Sequence, residues 1–177
     1  MARRVRLDLD YASRLWTQRR SVSALLRQTV EHVFEGPWID NEDLPHPACR
    51  TIVIALRLTD DAQMRQLNAD FRQKDQATNV LSFPSTEAEA LMPDSFLGNI
   101  AIGYETVQRE AVQDGKDFLD HLRHLLVHGC LHLIGYDHQQ TTEAEEMEAL
   151  EIKILAALGI ANPYAAFELV ERIGKGA

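Results

Sequence analysis

The segment His128-Gly129-Cys130-Leu131-His132-Leu133-Ile134-Gly135-Tyr136-Asp137-His138 constrains the fold of this chain more than any other. Two histidines four residues apart on a helix lie about 40° apart around its axis, one turn apart, and can share an ion. Gly135 stands where such a helix would stop, and a chain that turns back there can deliver His138 to a third coordination position. Three neutral imidazoles suit zinc. With only three protein ligands a fourth position stays open for water, which distinguishes a catalytic zinc from a structural one. Nickel or another divalent ion can replace zinc on imidazole ligands. A lone helical histidine is commonly an exposed or core residue, but three at this spacing with a glycine at the helix end point to a metal. Cys130 lies some 160° around the helix from His128 and reads as packing. His121 and His124 extend the same stripe and either line the cleft or, the favoured reading, are merely partly exposed. Asp137 can either orient a ligand imidazole as a hydrogen-bond acceptor or cap the loop.

The spacing equals that of the metzincin peptidase signature, H-E-x-x-H-x-x-G-x-x-H. Where that signature carries its glutamate base, this chain has Gly129. The metal geometry is kept and the proton-transfer group is lost, which argues against a glutamate-dependent peptidase.

Around this segment, residues 1–177 read as one compact α/β domain with no internal repeat. Alternating apolar residues over Val5–Tyr11 predict a strand. A helix capped by Ser21 should run to about Glu35, before a loop marked by Gly36-Pro37, Pro45 and Pro47. Arg50–Leu58 reads as a buried strand. Thr59 or Asp60 should cap a helix to about Phe71, and 73–79 reads as a polar loop. Val80–Phe83 reads as a short strand ended by Pro84, and 85–95 as a mobile connection. A strand over Leu97–Gly103 and a helix over Glu105–Asp114, closed by Gly115, should follow. The metal helix is expected over Phe118–Ile134. A last helix, capped by Thr141 or Thr142, should reach Leu158. Its glutamates at 143–151 read as a solvated face, with Met147, Leu150, Ile154 and Leu155 turned inward.

No apolar run approaches the roughly 20 residues of a membrane helix. The only cysteines, Cys49 and Cys130, do not suit a disulfide scaffold or a four-cysteine zinc site. The N-terminus is rich in arginine, but Asp8 and Asp10 interrupt it and no secretory-type apolar core follows. It is expected to belong to the folded protein, and the compartment to be cytoplasmic. A net charge of −9 disfavours nucleic-acid binding over the whole surface, yet leaves room for one local basic cleft.

A second segment, Asn68 to Pro84, carries Arg72 and Lys74 where a helix gives way to a polar loop. These cations can either satisfy carbonyls at the helix end or clamp a phosphate, with arginine offering a planar fork. Thr78 and Asn79 can add neutral hydrogen bonds.

Together the two segments resemble the YbeY family of bacterial ribosomal RNA maturation factors, which are zinc-dependent endoribonucleases. The resemblance rests on N-A-D-F-R-Q-K-D-Q-A-T-N-V-L-S-F-P at 68–84, L-G-N-I at 97–100 and H-G-C-L-H-L-I-G-Y-D-H at 128–138. It extends to E-A-E-E-M-E-A-L-E at 143–151 and N-P-Y at 162–164. It implies an α/β (α+β) fold with a small mixed sheet and the metal helix at its core. It implies zinc on His128, His132 and His138, and Arg72 as the functional arginine of the cleft. The implied activity is cleavage of single-stranded RNA, in 16S ribosomal RNA 3′-end maturation and ribosome quality control. The implied partners are ribosomal RNA and the ribosome or its small subunit, with no membrane. Lys74, Thr78 and Asn79 would help hold substrate, and Asp137 would support a ligand. Asn99 stands where the family usually has aspartate, and Cys130 where it commonly has serine. A metallopeptidase and a non-catalytic zinc-containing assembly factor are the competing expectations.

Overall fold

The computed structural model of the protein describes residues 4–18, 22–39, 49–86, 94–138 and 140–165. Among these residues, four strands form one mixed sheet: β1 (Arg4–Tyr11), β2 (Thr51–Thr59), β3 (Val80–Pro84) and β4 (Asp94–Gly103), in the order β1-β2-β4-β3. β1 and β4 run parallel to β2 on its two sides, and β3 pairs antiparallel with β4 as an edge strand. The Ile- and Val-rich sequence of β2 suits this central place, because parallel strands are covered on both faces.

Among the described residues, five α-helices accompany the sheet: α1 (Val22–Glu35), α2 (Asp61–Arg72), α3 (Tyr104–Gln113), α4 (Phe118–Leu133) and α5 (Thr141–Ala157), the last packed on α4. Side chains alternate along a strand. Ile52, Ile54, Leu56 and Leu58 of β2, with Ile100 and Ile102 of β4, therefore share one face. There they form a single core with Leu26, Val30 and Val33 of α1 and Leu122, Leu126 and Leu131 of α4. Met64 of α2 lies over the opposite face, against Leu81 and Ala101. α4 is buried on most sides, and its polar stripe of histidines stands out against that burial. No helix among the described residues is long and apolar enough to cross a membrane.

The expected elements are present, with local corrections. Asp60 caps α2, accepting the Gln63 amide at 3.0 Å. The cap of α5 is Gln140, without a side-chain hydrogen bond, so both Thr141 and Thr142 lie inside the first turn. β4 begins at Asp94, because Asp94 and Ser95 pair with Thr51 and Ile52 and so leave the expected 85–95 connection. The expected cap Ser21, the prolines at 45 and 47 and residues 87–93 lie outside the described residues. Sequence periodicity gave no sign of the short 3-10 helix Arg14–Gln18. It buries Trp16 completely, and the indole N–H donates to the Thr59 carbonyl at 2.8 Å.

Candidate metal centre and cleft

The histidine triad is assembled by α4 and the turn after it. His128 and His132 project from one side of α4, and their Nε2 atoms lie 3.0 Å apart. Gly135 adopts a φ of 98°, a left-handed conformation that residues with a Cβ rarely take, and the chain reverses there. His138 returns to stack on His128, with ring centroids 5.5 Å apart, and meets His132 edge-on at 5.0 Å. One nitrogen from each of the three rings falls within 4.8 Å of the others. Asp137 accepts the His138 backbone N–H at 2.8 Å, which pins this turn.

The second nitrogens decide the chemistry. His128 Nδ1 donates to Glu151 Oε1 at 2.6 Å, and His132 Nδ1 donates to the Tyr136 carbonyl at 2.8 Å. A carboxylate and a carbonyl can only accept, so both rings carry their proton on Nδ1. In the neutral rings both Nε2 atoms then present lone pairs to each other at 3.0 Å. Two acceptors at that distance repel, and a shared cation turns the contact favourable. Tetrahedral ligands about 2.05 Å from zinc would stand roughly 3.3 Å apart, so the donor set fits such an ion. Burial, and next the neighbouring charge of His128, hold the pKa of His132 below the ordinary imidazole value, which keeps its lone pair available at neutral pH.

Gly129 faces the sheet. A Cβ there would come within 3.1–3.2 Å of Ile100 and of Ser82 Oγ, and Ser82 Oγ donates to the Gly129 carbonyl at 3.3 Å. A side chain at this position would therefore point at the sheet, in tight contact with Ile100 and Ser82. Cys130 is fully buried, as its angular position predicts, and burial pushes its thiol pKa up.

The triad opens onto a cleft of about 270 Å³ lined by Arg72, Lys74, Thr78, Asn79, Ser82 and the three histidines. Arg72 also lines an adjoining hollow with His132, Tyr136 and His138. The two sequence segments thus meet across one opening, Arg72 from the end of α2 and the rings from α4. The loop that carries Lys74 is held by Asn68, whose amide donates to the Gln76 carbonyl at 2.8 Å. Arg65 and Asp75 add a two-bond ion pair at 2.6 and 2.7 Å. Asn79 lines the cleft, but its amide donates to both oxygens of Glu110 at 3.2 and 3.0 Å, and its Oδ1 accepts from the Val80 N–H.

Two expectations are overturned behind this wall. His121 is buried rather than partly exposed, its side chain retaining 7% exposure, whereas His124 keeps 12% and is partly exposed as expected; each is bonded to a carboxylate. His121 Nε2 meets Glu110 at 2.8 Å, and His124 Nε2 meets Glu151 at 2.8 Å. Glu151 does not belong to the solvated face of α5. It is fully buried, because it falls on the same side of the helix as Met147, Leu150, Ile154 and Leu155. Burial opposes its charge, but the hydrogen bonds and charge of His124 and His128 prevail and hold its pKa down at about 2. Asn99, by contrast, is exposed on the opposite face of the sheet. It lines an apolar groove there with Phe71 and Phe83.

Residues 16–159 match the family model described as Endoribonuclease YbeY. An Endoribonuclease YbeY of Agrobacterium fabrum is 54% identical over 128 residues, covering 72% of this chain and 76% of the relative. One of Rhodopseudomonas palustris is 56% identical over 115 residues, covering 63% and 67%. The solution structure of a Thermotoga maritima protein shares the fold at a TM-score of 0.53 and 19% identity, covering 86% of this chain and 91% of that one.

Proposed function

This chain belongs to the YbeY endoribonuclease family, and from that premise we propose that it is a metal-dependent endoribonuclease cutting single-stranded RNA. Its task would be ribosomal RNA maturation at the 16S 3′ end and ribosome quality control in the cytoplasm. Ribosomal RNA and the ribosome or its small subunit would be its partners, and residues 1–177 would act as one catalytic domain. The observation that carries the reading is the pair of facing Nε2 atoms at 3.0 Å, completed by His138 and opposed across one cleft by Arg72.

His128, His132 and His138 would hold Zn2+, for which Ni2+ could substitute. When bound, the ion supplies Lewis acidity toward a phosphoryl oxygen and a more acidic water. Arg72 binds the scissile phosphate and neutralises the charge that grows on it during cleavage. Lys74 steers the RNA backbone into the cleft. Thr78 offers its hydroxyl to substrate, and Asn79, already bonded to Glu110, offers a rigid edge to the cleft wall. Asp137 supports His138 through the turn it pins. Gly129, which offers no carboxylate beside the triad, weighs against a glutamate-dependent peptidase.

The test is Arg72→Ala. It should retain one equivalent of zinc yet lose most cleavage of a single-stranded RNA, with His128→Ala purified in parallel to exclude contaminating nuclease. Full cleavage by Arg72→Ala would overturn the role of the arginine. Equal cleavage by His128→Ala would overturn the enzyme reading.

A further inference from the structure

Two motifs remain without a role in the cleft: E-A-E-E-M-E-A-L-E of α5 and N-P-Y after it. Their residues meet at one carboxylate. Glu151, the last glutamate of the first motif, receives His128 Nδ1 on Oε1 at 2.6 Å. On Oε2 it receives His124 Nε2 at 2.8 Å and the hydroxyl of Tyr164, from the second motif. Tyr164 is itself held in place. Its backbone N–H donates to Asn162 Oδ1 at 2.8 Å, and its ring stands edge-on to His124 at 5.5 Å.

Packing alone would not select this residue. Glu151 has no exposed surface and shares the inward side of α5 with Met147, Leu150, Ile154 and Leu155, a side that packing alone would fill with apolar residues. A buried carboxylate is costly unless its oxygens are bonded, and here three donors converge on them. The group that gains from the arrangement is His128. A carboxylate behind an imidazole fixes the tautomer, orients the ring and raises the basicity of the opposite nitrogen.

We propose that Glu151, anchored by Tyr164 and His124, is the positioning residue that locks His128 as its Nδ1–H tautomer and aims Nε2 into the metal site. The proposal rests on the reading of the triad as a metal centre. Glu151 touches neither cation nor RNA and acts only through the imidazole. The two unexplained motifs then have one shared role, the outer support of a metal ligand.

The test uses the full chain, stripped of metal with a chelator and titrated with zinc against a chromophoric competitor. Glu151→Leu, which keeps volume and removes both oxygens, should weaken zinc binding by about 10–100-fold. Glu151→Gln, which keeps an acceptor, should fall between Glu151→Leu and the wild type. Tyr164→Phe, which leaves the His128 bond in place, should lose only a few fold. Nitrogen NMR of the metal-free wild type should find His128 protonated on Nδ1, a measurement that stands even if the Glu151 variants do not fold. Wild-type zinc affinity in a folded Glu151→Leu, or an Nε2–H tautomer in the wild type, would overturn the proposal alone. Failure of the wild type to bind zinc would instead overturn the metal reading beneath it.

Discussion

Glu110 stands behind Asn79 much as Glu151 stands behind His128: a carboxylate bonded to a buried histidine on one side and to a cleft residue on the other. Burial disfavours its charge, but hydrogen bonds from His121 and Asn79, with the charges of His121 and Arg109, prevail and hold its pKa below the ordinary 4.5. A lowered carboxylate pKa stabilises the fold in full above the ordinary value and loses that contribution as pH falls through the folded-state value. Glu110→Gln should therefore be less stable than the wild type at pH 7, and the gap should narrow below pH 4.5. Urea unfolding at pH 7 and pH 3.5 checks this, and a gap independent of pH would contradict it. The same residues mark the limit of what a sequence discloses. The proposed ligands His128, His132 and His138 are legible because helical spacing and one glycine bring them together. Glu151 is easily passed over as one of five glutamates in E-A-E-E-M-E-A-L-E, although it lies four residues from both Met147 and Leu155 and so on the inward face. What spacing does not disclose is its partners, which only the packing of α5 on α4 brings to it.

Among the elements, α2 and α3 hold each other by their N-termini. Gly103 precedes α3 and has no side chain to cap it. Asp61 of α2 takes over, accepting the Thr106 N–H at 3.0 Å and its hydroxyl at 2.9 Å, while Glu105 of α3 accepts the Asp61 N–H at 2.9 Å. Each helix thereby satisfies amides that the other leaves open. Asp61→Ala should cost about 1 kcal/mol, the usual worth of a lost N-cap. A denaturant titration would detect it as a lower midpoint with an unchanged slope, and an unmoved midpoint would show that the cross-cap contributes nothing. Strand and helix order was readable from alternation and from caps such as Asp60. The 3-10 helix at Arg14–Gln18 was not, since five residues are too few to establish a period. The first residues of β4 were hidden for a related reason: Asp94 and Ser95 are poor strand formers, and their place follows from pairing with β2.

At the scale of the whole molecule, the sheet and α1 support α4 from one side while α2 and its loop carry the cations to the opening. A ligand that binds only the folded state stabilises it by mass action, about 4 kcal/mol at a concentration a thousandfold above its Kd. For a chain of this size each kcal/mol moves Tm by about 2–4 °C. Zinc at such excess should accordingly raise Tm by roughly 8–16 °C, and a chelator should reverse the gain. Calorimetry with and without zinc measures it, and coincident melting curves would argue against a site on the native triad. The net charge of −9 fits this division of labour, since the cations that matter need act only at the cleft.

The clasp of Tyr164 on Glu151 also orders events in time. During translation His138 leaves the exit tunnel before Tyr164, so the growing polypeptide possesses the three histidines before it possesses the full brace on His128. On the proposed reading of the triad, the brace on His128 would be complete only once synthesis has passed the Asn162-Pro163-Tyr164 turn, and the last few-fold of metal affinity would arrive with it.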